Sequence, residues 1–159
     1  MNEFTEAMRQ LVAGVAVVTV RDDRDDIGTT VTTFTSLSAD PPMVLLSLTS
    51  SGYLCEVLLR QDLWAVTLLS GDQAVIASRF ASPGRPSARL LVAGTPHHRG
   101  PRTEAFVIDG GVAALEAETA RVIPGGDHTL FLAQVLHVDY VNPSLPPLVR
   151  MRGRYRAVT

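Results

Sequence analysis

Two long complementary strand signals constrain this chain most. Residues 112–122 alternate, with Leu115, Ala117 and Thr119 on one side and Glu116 and Glu118 on the other. A side-chain period of two is that of a strand, so the glutamates are expected to face out and the other three in. Pro124-Gly125-Gly126-Asp127 then turns the chain, and residues 128–141 run back as a second long strand. Shorter runs of the same character fall at 15–20, 27–33, 43–48, 63–69 and 150–157. Helical spacing is confined to short stretches. Phe4, Ala7, Met8 and Leu11 give an amphipathic helix over 3–12. Leu54, Val57, Leu58 and Gln61 follow a Ser50 or Ser51 cap, and Val75, Ile76 and Phe80 follow Ser70-x-x-Gln73, which has capping-box spacing. Many strands at hairpin spacing with few helices can bury their apolar faces by curling around one core. The predicted fold class is therefore mainly β with short helices, an antiparallel closed barrel. A length of 159 residues suits one such core, so a single domain over 1–159 is expected.

Composition removes several function classes. No apolar run approaches the ~18 residues that span a bilayer. Met1-Asn2-Glu3-Phe4 lacks the basic-then-apolar layout of a signal peptide. The expectation is a cytoplasmic protein without a membrane partner. A net charge of −2 with no basic run argues against nucleic acid as partner. Cys55 is the only cysteine, so no intrachain disulfide can form; it and Trp64 are expected in the core. All 14 basic residues are Arg. Cationic contacts to a phosphate therefore fall to Arg, which binds bidentately, and Schiff-base lysine chemistry is excluded. Gly-x-Gly-x-x-Gly, Walker-type and Gly-x-Ser-x-Gly sequences are missing. His97-His98 lies in a Pro/Gly/Arg-rich loop without Cys, where adjacent histidines point apart, so no metal site is expected. The acidic run 22–26 lacks the Gly and distal Glu of a calcium loop and reads as a solvated hairpin tip. Residues 81–86 and 95–102 read as loops, the second polar and mobile. His137, on an alternating strand, is expected to be packed or exposed rather than catalytic.

The candidate site begins at residues 29–38, where seven of ten side chains carry hydroxyls. Residues 29–33 suit a strand. Apolar residues then fall at Val31, Phe34 and Leu37, a spacing of three that breaks the strand period, so 34–40 reads as a loop closed by Pro41-Pro42. Thr30, Thr32, Thr33, Thr35 and Ser36, with free backbone N–H groups, can hold a phosphate or the polar rim of a ring, while Val31 and Phe34 pack against it. Ser47, Thr49, Ser50 and Ser51 lie at the end of the next strand and at a helix start, a natural phosphate position. Arg79 and Phe80, closing the following helix beside a Pro/Gly loop, complete the candidate set. On composition alone the hydroxyl run also fits β-propensity and solubility.

Four segments in order carry a resemblance. Thr33-Phe34-Thr35-Ser36-Leu37-Ser38-Ala39-Asp40-Pro41-Pro42 is followed by Gly126-Asp127-His128-Thr129. Phe4-x-x-Ala7-Met8 with Gly14-Val15-Ala16-Val17-Val18-Thr19 precedes them, and Pro147-Leu148-Val149 with Gly153-x-Tyr155 comes after. Together they resemble the flavin reductase family, whose fold is the FMN-binding split β-barrel. The likeness covers nearly the whole chain except 82–103. It departs at Thr33, where the family has Ser, and at Arg150, where the family often has an aromatic residue. The resemblance implies reduction of FMN or FAD by NADH or NADPH in a homodimer, with reduced flavin passing to a separate monooxygenase. It also implies that His128 lies beside the flavin where the nicotinamide stacks, as the catalytic candidate. Read from the residues alone, His128 is equally a strand-end histidine bonding its own turn, and Asp127 is a turn residue. Two alternatives stay open: a flavoprotein that keeps FMN and reduces an organic substrate in a biosynthetic pathway, and a non-enzymatic flavin carrier or sensor.

Overall fold

The computed structural model describes residues 2–159; Met1, the first residue of the expected domain, lies outside them. The chain runs α1 (Glu3–Met8), β1 (Ala13–Gly14), β2 (Ala16–Asp22), β3 (Asp25–Val31), β4 (Phe34–Ala39), β5 (Pro42–Thr49), α2 (Tyr53–Leu58), β6 (Leu63–Leu68), a 3-10 turn (Gly71–Gln73), α3 (Ala74–Ala81), α4 (Ala88–Leu91), β7 (His97–Arg99), β8 (Phe106–Ile108), β9 (Ala113–Gly125), β10 (His128–Val141), β11 (Leu148–Met151) and β12 (Arg154–Ala157). Seven strands form one antiparallel sheet in the order β3-β2-β6-β9-β10-β5-β4. Small sheets β1-β11-β12 and β7-β8 flank it.

The order of the large sheet explains its shape. Its two edges, β3 and β4, are consecutive in sequence, with Thr32 and Thr33 between them. Two residues cannot span a flat seven-stranded sheet, so the sheet must curl until its edges meet. The expectation of a closed barrel is corrected here: no ladder joins β3 to β4, and the seam is bridged by the chain itself. Ser47 N–H donates to Thr33 O at 2.9 Å and fixes the crossing.

β2 is buried from Ala16 to Val20 because both of its faces are covered. Ala16, Val18 and Val20 point into the barrel with Leu46, Trp64 and Phe131, where the apolar face of α2 (Leu54, Cys55, Val57, Leu58) plugs one end. Val15 and Val17 serve a second core under α3 and α4, built on Phe80, Ile108 and Leu148. Trp64 and Cys55 are core residues, as expected.

Several local expectations change. Residues 34–39 are strand, not loop, and only Asp40 is turn: β4 pairs with β5, with a bulge between Ser36 and Ser38 that leaves Leu37 as the extra residue. The spacing of three between Val31 and Phe34 reflects the crossing from β3 to β4, and that between Phe34 and Leu37 reflects the bulge. Helix α1 ends at Met8 and is capped by Asn2, whose Oδ1 accepts from Thr5 N–H at 2.8 Å. Gly52, not Ser50 or Ser51, caps α2. The Ser70–Gln73 capping box forms, but on the 3-10 turn ahead of α3. Residues 150–157 belong to two strands joined through Arg152 and Gly153, at φ of 51° and 79°.

Glu116 lies on the face opposite Leu115 and Ala117, as the alternation predicts, but that face is covered and Glu116 is fully buried, because the loop over 100–103 supplies its partners. It accepts from Thr103 N–H at 2.8 Å and Thr103 Oγ1 at 2.7 Å, and from Arg102 N–H. The acidic run is not merely a solvated tip either. Asp26 is buried and takes both arms of Arg99 at 2.6 and 3.0 Å, and Asp22 accepts from Arg60 and Gln61. The Arg60 hydrogen bond holds the Asp22 carboxyl below its ordinary value. The expected mobile loop 95–102 therefore contains β7, tied down by Arg99 and by His98. The His98 ring lies between Asp109 at 2.7 Å and Asp139 at 2.8 Å.

Candidate functional site

A cavity of about 260 Å³ lies against the seam. Thr29, Thr30, Val31, Thr32 and Thr33 form one wall, Ser47, Leu48 and Thr49 another, and Gly52, Tyr53, Leu54 and Cys55 of the α2 start a third; Arg85 and His128 complete it. The position follows from the topology. An edge strand has unpaired backbone N–H and C=O groups along one side, and β3 turns that side to the seam. The end of β5 and the start of α2 close the space behind it.

The hydroxyls divide into two sets. Thr30 Oγ1 donates to Ala77 O at 2.6 Å and Thr29 Oγ1 to Phe80 O at 3.3 Å, which ties β3 to two carbonyls of α3. Thr33 Oγ1 donates to Ser47 O. Among the described residues, the Thr32, Ser47 and Thr49 hydroxyls have no protein partner, and these remain available to a ligand. Ser50 Oγ is 2.9 Å from Thr129 Oγ1 and its N–H donates to Asp127 O, so it clamps the β10 turn instead.

Arg85 is the electrostatic feature of the cavity. Its Nε donates to Gly28 O at 2.9 Å and its Nη1 to Ser82 O at 3.3 Å, both neutral carbonyls. No carboxylate pairs with it among the described residues, and burial lowers its pKa from the ordinary guanidinium value. A desolvated cation without a counter-ion favours an anion in the groove. Gly28 is required at this point. A Cβ there would lie 2.8 Å from the Phe80 ring and 3.1 Å from Val18 O.

His128 opens β10 at the mouth. It pairs with Thr49 across β5 and with Gly125 across β9, around a two-residue turn in which Gly126 takes φ +65°. Its Nδ1 lies 2.8 Å from Asp127 Oδ1, and that hydrogen bond holds the Asp127 carboxyl below its ordinary value. Asp127 thus does more than turn the chain: it orients the imidazole and leaves Nε2 as the open ring nitrogen.

Of the sequence candidates, the structure gathers Thr30, Val31, Thr32, Thr33, Ser47, Thr49 and His128 around one cavity. It does not bring the others there. Phe34, Thr35 and Ser36 lie on β4 beyond the seam, and Ser50 and Ser51 precede α2 outside the lining. Phe80 is wholly buried under Gly28, and Arg79 is exposed on α3. Arg85, Tyr53 and the Gly52 backbone were missed. The signal for Arg85 was present, since phosphate contacts had to come from Arg and the Pro/Gly loop was singled out. The helix carrying Arg79 points that residue elsewhere, and the loop returns Arg85 over Gly28. Among the described residues, no group of three or more His, Cys, Asp or Glu side chains is arranged to hold a metal ion. No helix is long and apolar enough to cross a membrane.

Residues 8–159 match the Flavin reductase like domain, and the chain belongs to that family. It is 37% identical over 160 residues to an NADH-dependent FMN reductase, AsuE2, of Streptomyces nodosus subsp. asukaensis, covering 97% of this chain and 83% of the relative. It is 32% identical to the reductase component of a 4-hydroxyphenylacetate 3-monooxygenase of Thermus thermophilus, covering 96% and 93%. Among solved structures, the NADH:FAD oxidoreductase SgcE6 of Streptomyces globisporus, in complex with NAD and FAD fragments, superposes with a TM-score of 0.90 at 29% identity, covering 98% of this chain and 91% of that one.

Proposed function

We propose that this chain is an NAD(P)H-dependent flavin reductase that reduces FMN or FAD with NADH or NADPH and releases reduced flavin to a partner monooxygenase. The observation that carries the reading is the seam cavity, where unpartnered hydroxyls, free strand-edge amides and a carboxylate-free Arg85 face one another. These residues fit a flavin by their chemistry. Val31, Leu48 and Leu54 offer apolar surface to a ring, Thr32, Ser47 and Thr49 offer donors and acceptors to its polar edge, and Arg85 offers a guanidinium to its phosphate. When bound, the flavin supplies the two-electron acceptor for the nicotinamide.

The protein's task is then positioning. The seam amides and hydroxyls fix the ring edge, and the apolar wall excludes water beneath the ring. His128, held by Asp127, orients the nicotinamide at the open mouth, where reacting atoms must come within roughly 3–3.5 Å. We place the whole chain in one domain acting in the cytoplasm as a homodimer. The dimer is supported by α1, which buries no side chain of its own: Phe4 is 72% and Met8 48% exposed. Under anaerobic conditions NADH should bleach free FMN or FAD to completion in the presence of catalytic protein. No bleaching with either flavin and either nicotinamide nucleotide would refute the assignment.

A further inference from the structure

Ser50 grips the turn that carries His128 on both sides of the imidazole. Its N–H donates to Asp127 O at 2.9 Å, and its Oγ lies 2.9 Å from Thr129 Oγ1. Asp127 and Thr129 are the residues before and after His128. The segment around Ser50 also builds the opposite wall of the seam cavity. Thr49, one residue earlier, is the cross-strand partner of His128, and both line the cavity. Gly52, two residues later, lines it too, and its N–H returns to Thr49 O at 3.0 Å. The β5–β10 ladder ends at the Thr49–His128 pair. The last pair of a ladder frays most readily, because no further rung holds its outer side. Ser50 supplies that rung.

The Asp127 carboxylate cannot do this alone. Its bond to His128 Nδ1 sets which way the ring turns, but the Asp127 side chain is 94% exposed and moves with the turn. What fixes the ring relative to the cavity wall is the tie between the turn and the Thr49–Gly52 segment. We infer that Ser50 is a positioning residue: through Asp127 and Thr129 it sets the separation between His128, which meets the nicotinamide, and Thr49, which meets the flavin edge. The inference rests on the flavin reductase reading and adds to it the group that holds the supports of the two rings in register. A displacement of about 1 Å between reacting groups can slow a reaction on the order of a hundredfold. Ser50 itself is exposed and does not line the cavity, so its hydroxyl reaches the reaction only through the turn.

The test measures kcat/KM for the nicotinamide nucleotide at saturating flavin, using the nucleotide and flavin that wild-type protein turns over best, and flavin affinity by fluorescence quenching. The variants are Ser50→Ala, Ser50→Thr, His128→Ala and the double variant Ser50→Ala/His128→Ala. Ser50→Ala removes the hydroxyl but keeps the amide bond to Asp127 O, so the turn loosens without being released. It should lower kcat/KM roughly three- to tenfold, the worth of one hydrogen bond, at unchanged flavin affinity. Ser50→Thr keeps the hydroxyl and should match wild type. In the His128→Ala background, Ser50→Ala should cost nothing more, because its effect passes through the imidazole. A general weakening of the fold would not produce that non-additivity. The inference is overturned by wild-type kcat/KM in Ser50→Ala, by Ser50→Thr as impaired as Ser50→Ala, by a parallel loss of flavin affinity, or by the same loss repeated without His128. Normal kinetics in His128→Ala overturns it as well. In each of these cases wild-type turnover leaves the reductase reading standing. Absence of flavin reduction by wild-type protein overturns both.

Discussion

Replacing Arg85 with Met should separate phosphate recognition from ring recognition. In the free protein the guanidinium holds only the Gly28 and Ser82 carbonyls, at 2.9 and 3.3 Å, and meets no carboxylate. Burial disfavours its charge, so an incoming phosphate recovers an interaction the fold leaves unmade. A charge-assisted hydrogen bond of this kind contributes about 1.5–3 kcal/mol. Loss of it corresponds to roughly 10–150-fold weaker binding. Riboflavin has the ring and ribityl chain but no phosphate, so its affinity should not change. Gly28 lines a second cavity adjoining the first and Ser82 is exposed, so water can replace the guanidinium at both carbonyls, which limits the cost to the fold to about 1 kcal/mol. Met keeps the length and apolar stem of the side chain. The assay is quenching of flavin fluorescence by wild-type and variant protein, titrated with FMN and with riboflavin at fixed ionic strength. A loss confined to FMN supports the assignment. Equal losses for both flavins, or none for FMN, would show that Arg85 shapes the groove without meeting the phosphate.

Three further outcomes are expected. Thr32→Val and Ser47→Ala should each weaken FMN by about 1 kcal/mol, whereas Ser36→Ala, on β4 outside the lining, should leave quenching titrations unchanged. His128→Ala should raise the KM for NAD(P)H or slow flavin reduction at unchanged flavin affinity; normal steady-state kinetics would reduce His128 to a turn residue. The His98 clasp should make stability pH-dependent. Burial opposes its charge, but the Asp109 hydrogen bond and the Asp139 charge outweigh that and raise its pKa above the ordinary value. A raised folded pKa means full stabilisation below the unfolded value of about 6.5, lost as pH rises through the folded value. Thermal denaturation across that window should show wild-type Tm falling toward that of His98→Gln, and parallel profiles would contradict the clasp.

The backbone of the fold was legible because its signals are local. The β9–β10 hairpin follows from strict alternation around a glycine turn, and β10 begins and ends where residues 128 and 141 place it. The doubly buried β2 shows as an unbroken apolar run. What escaped depended on partners distant in sequence. The bulge at Leu37 read as loop because one extra residue destroys the period of two, and only pairing with β5 restores it. Glu116 read as exposed because charge alone suggests solvent; its burial depends on amides and a hydroxyl supplied by the 100–103 loop. The same limit applied at the site. The hydroxyl wall was visible as composition, and His128 as a motif. Arg85 belongs to the groove only because α3 and its following loop fold back over Gly28, a contact of residues 57 apart in sequence.

The central claim is that flavin is turned over at the seam rather than retained there. Extensively dialysed protein should be assayed for NADH and NADPH oxidation in air against increasing FMN, FAD and riboflavin. The account predicts negligible oxidation without added flavin and a saturable rise with it, with oxygen as the only other acceptor. Flavin that survives dialysis, with oxidation indifferent to added flavin and dependent on an organic acceptor, would instead identify a prosthetic-group flavoprotein. Flavin binding with no nucleotide oxidation under any condition would identify a carrier. Either result would contradict the account.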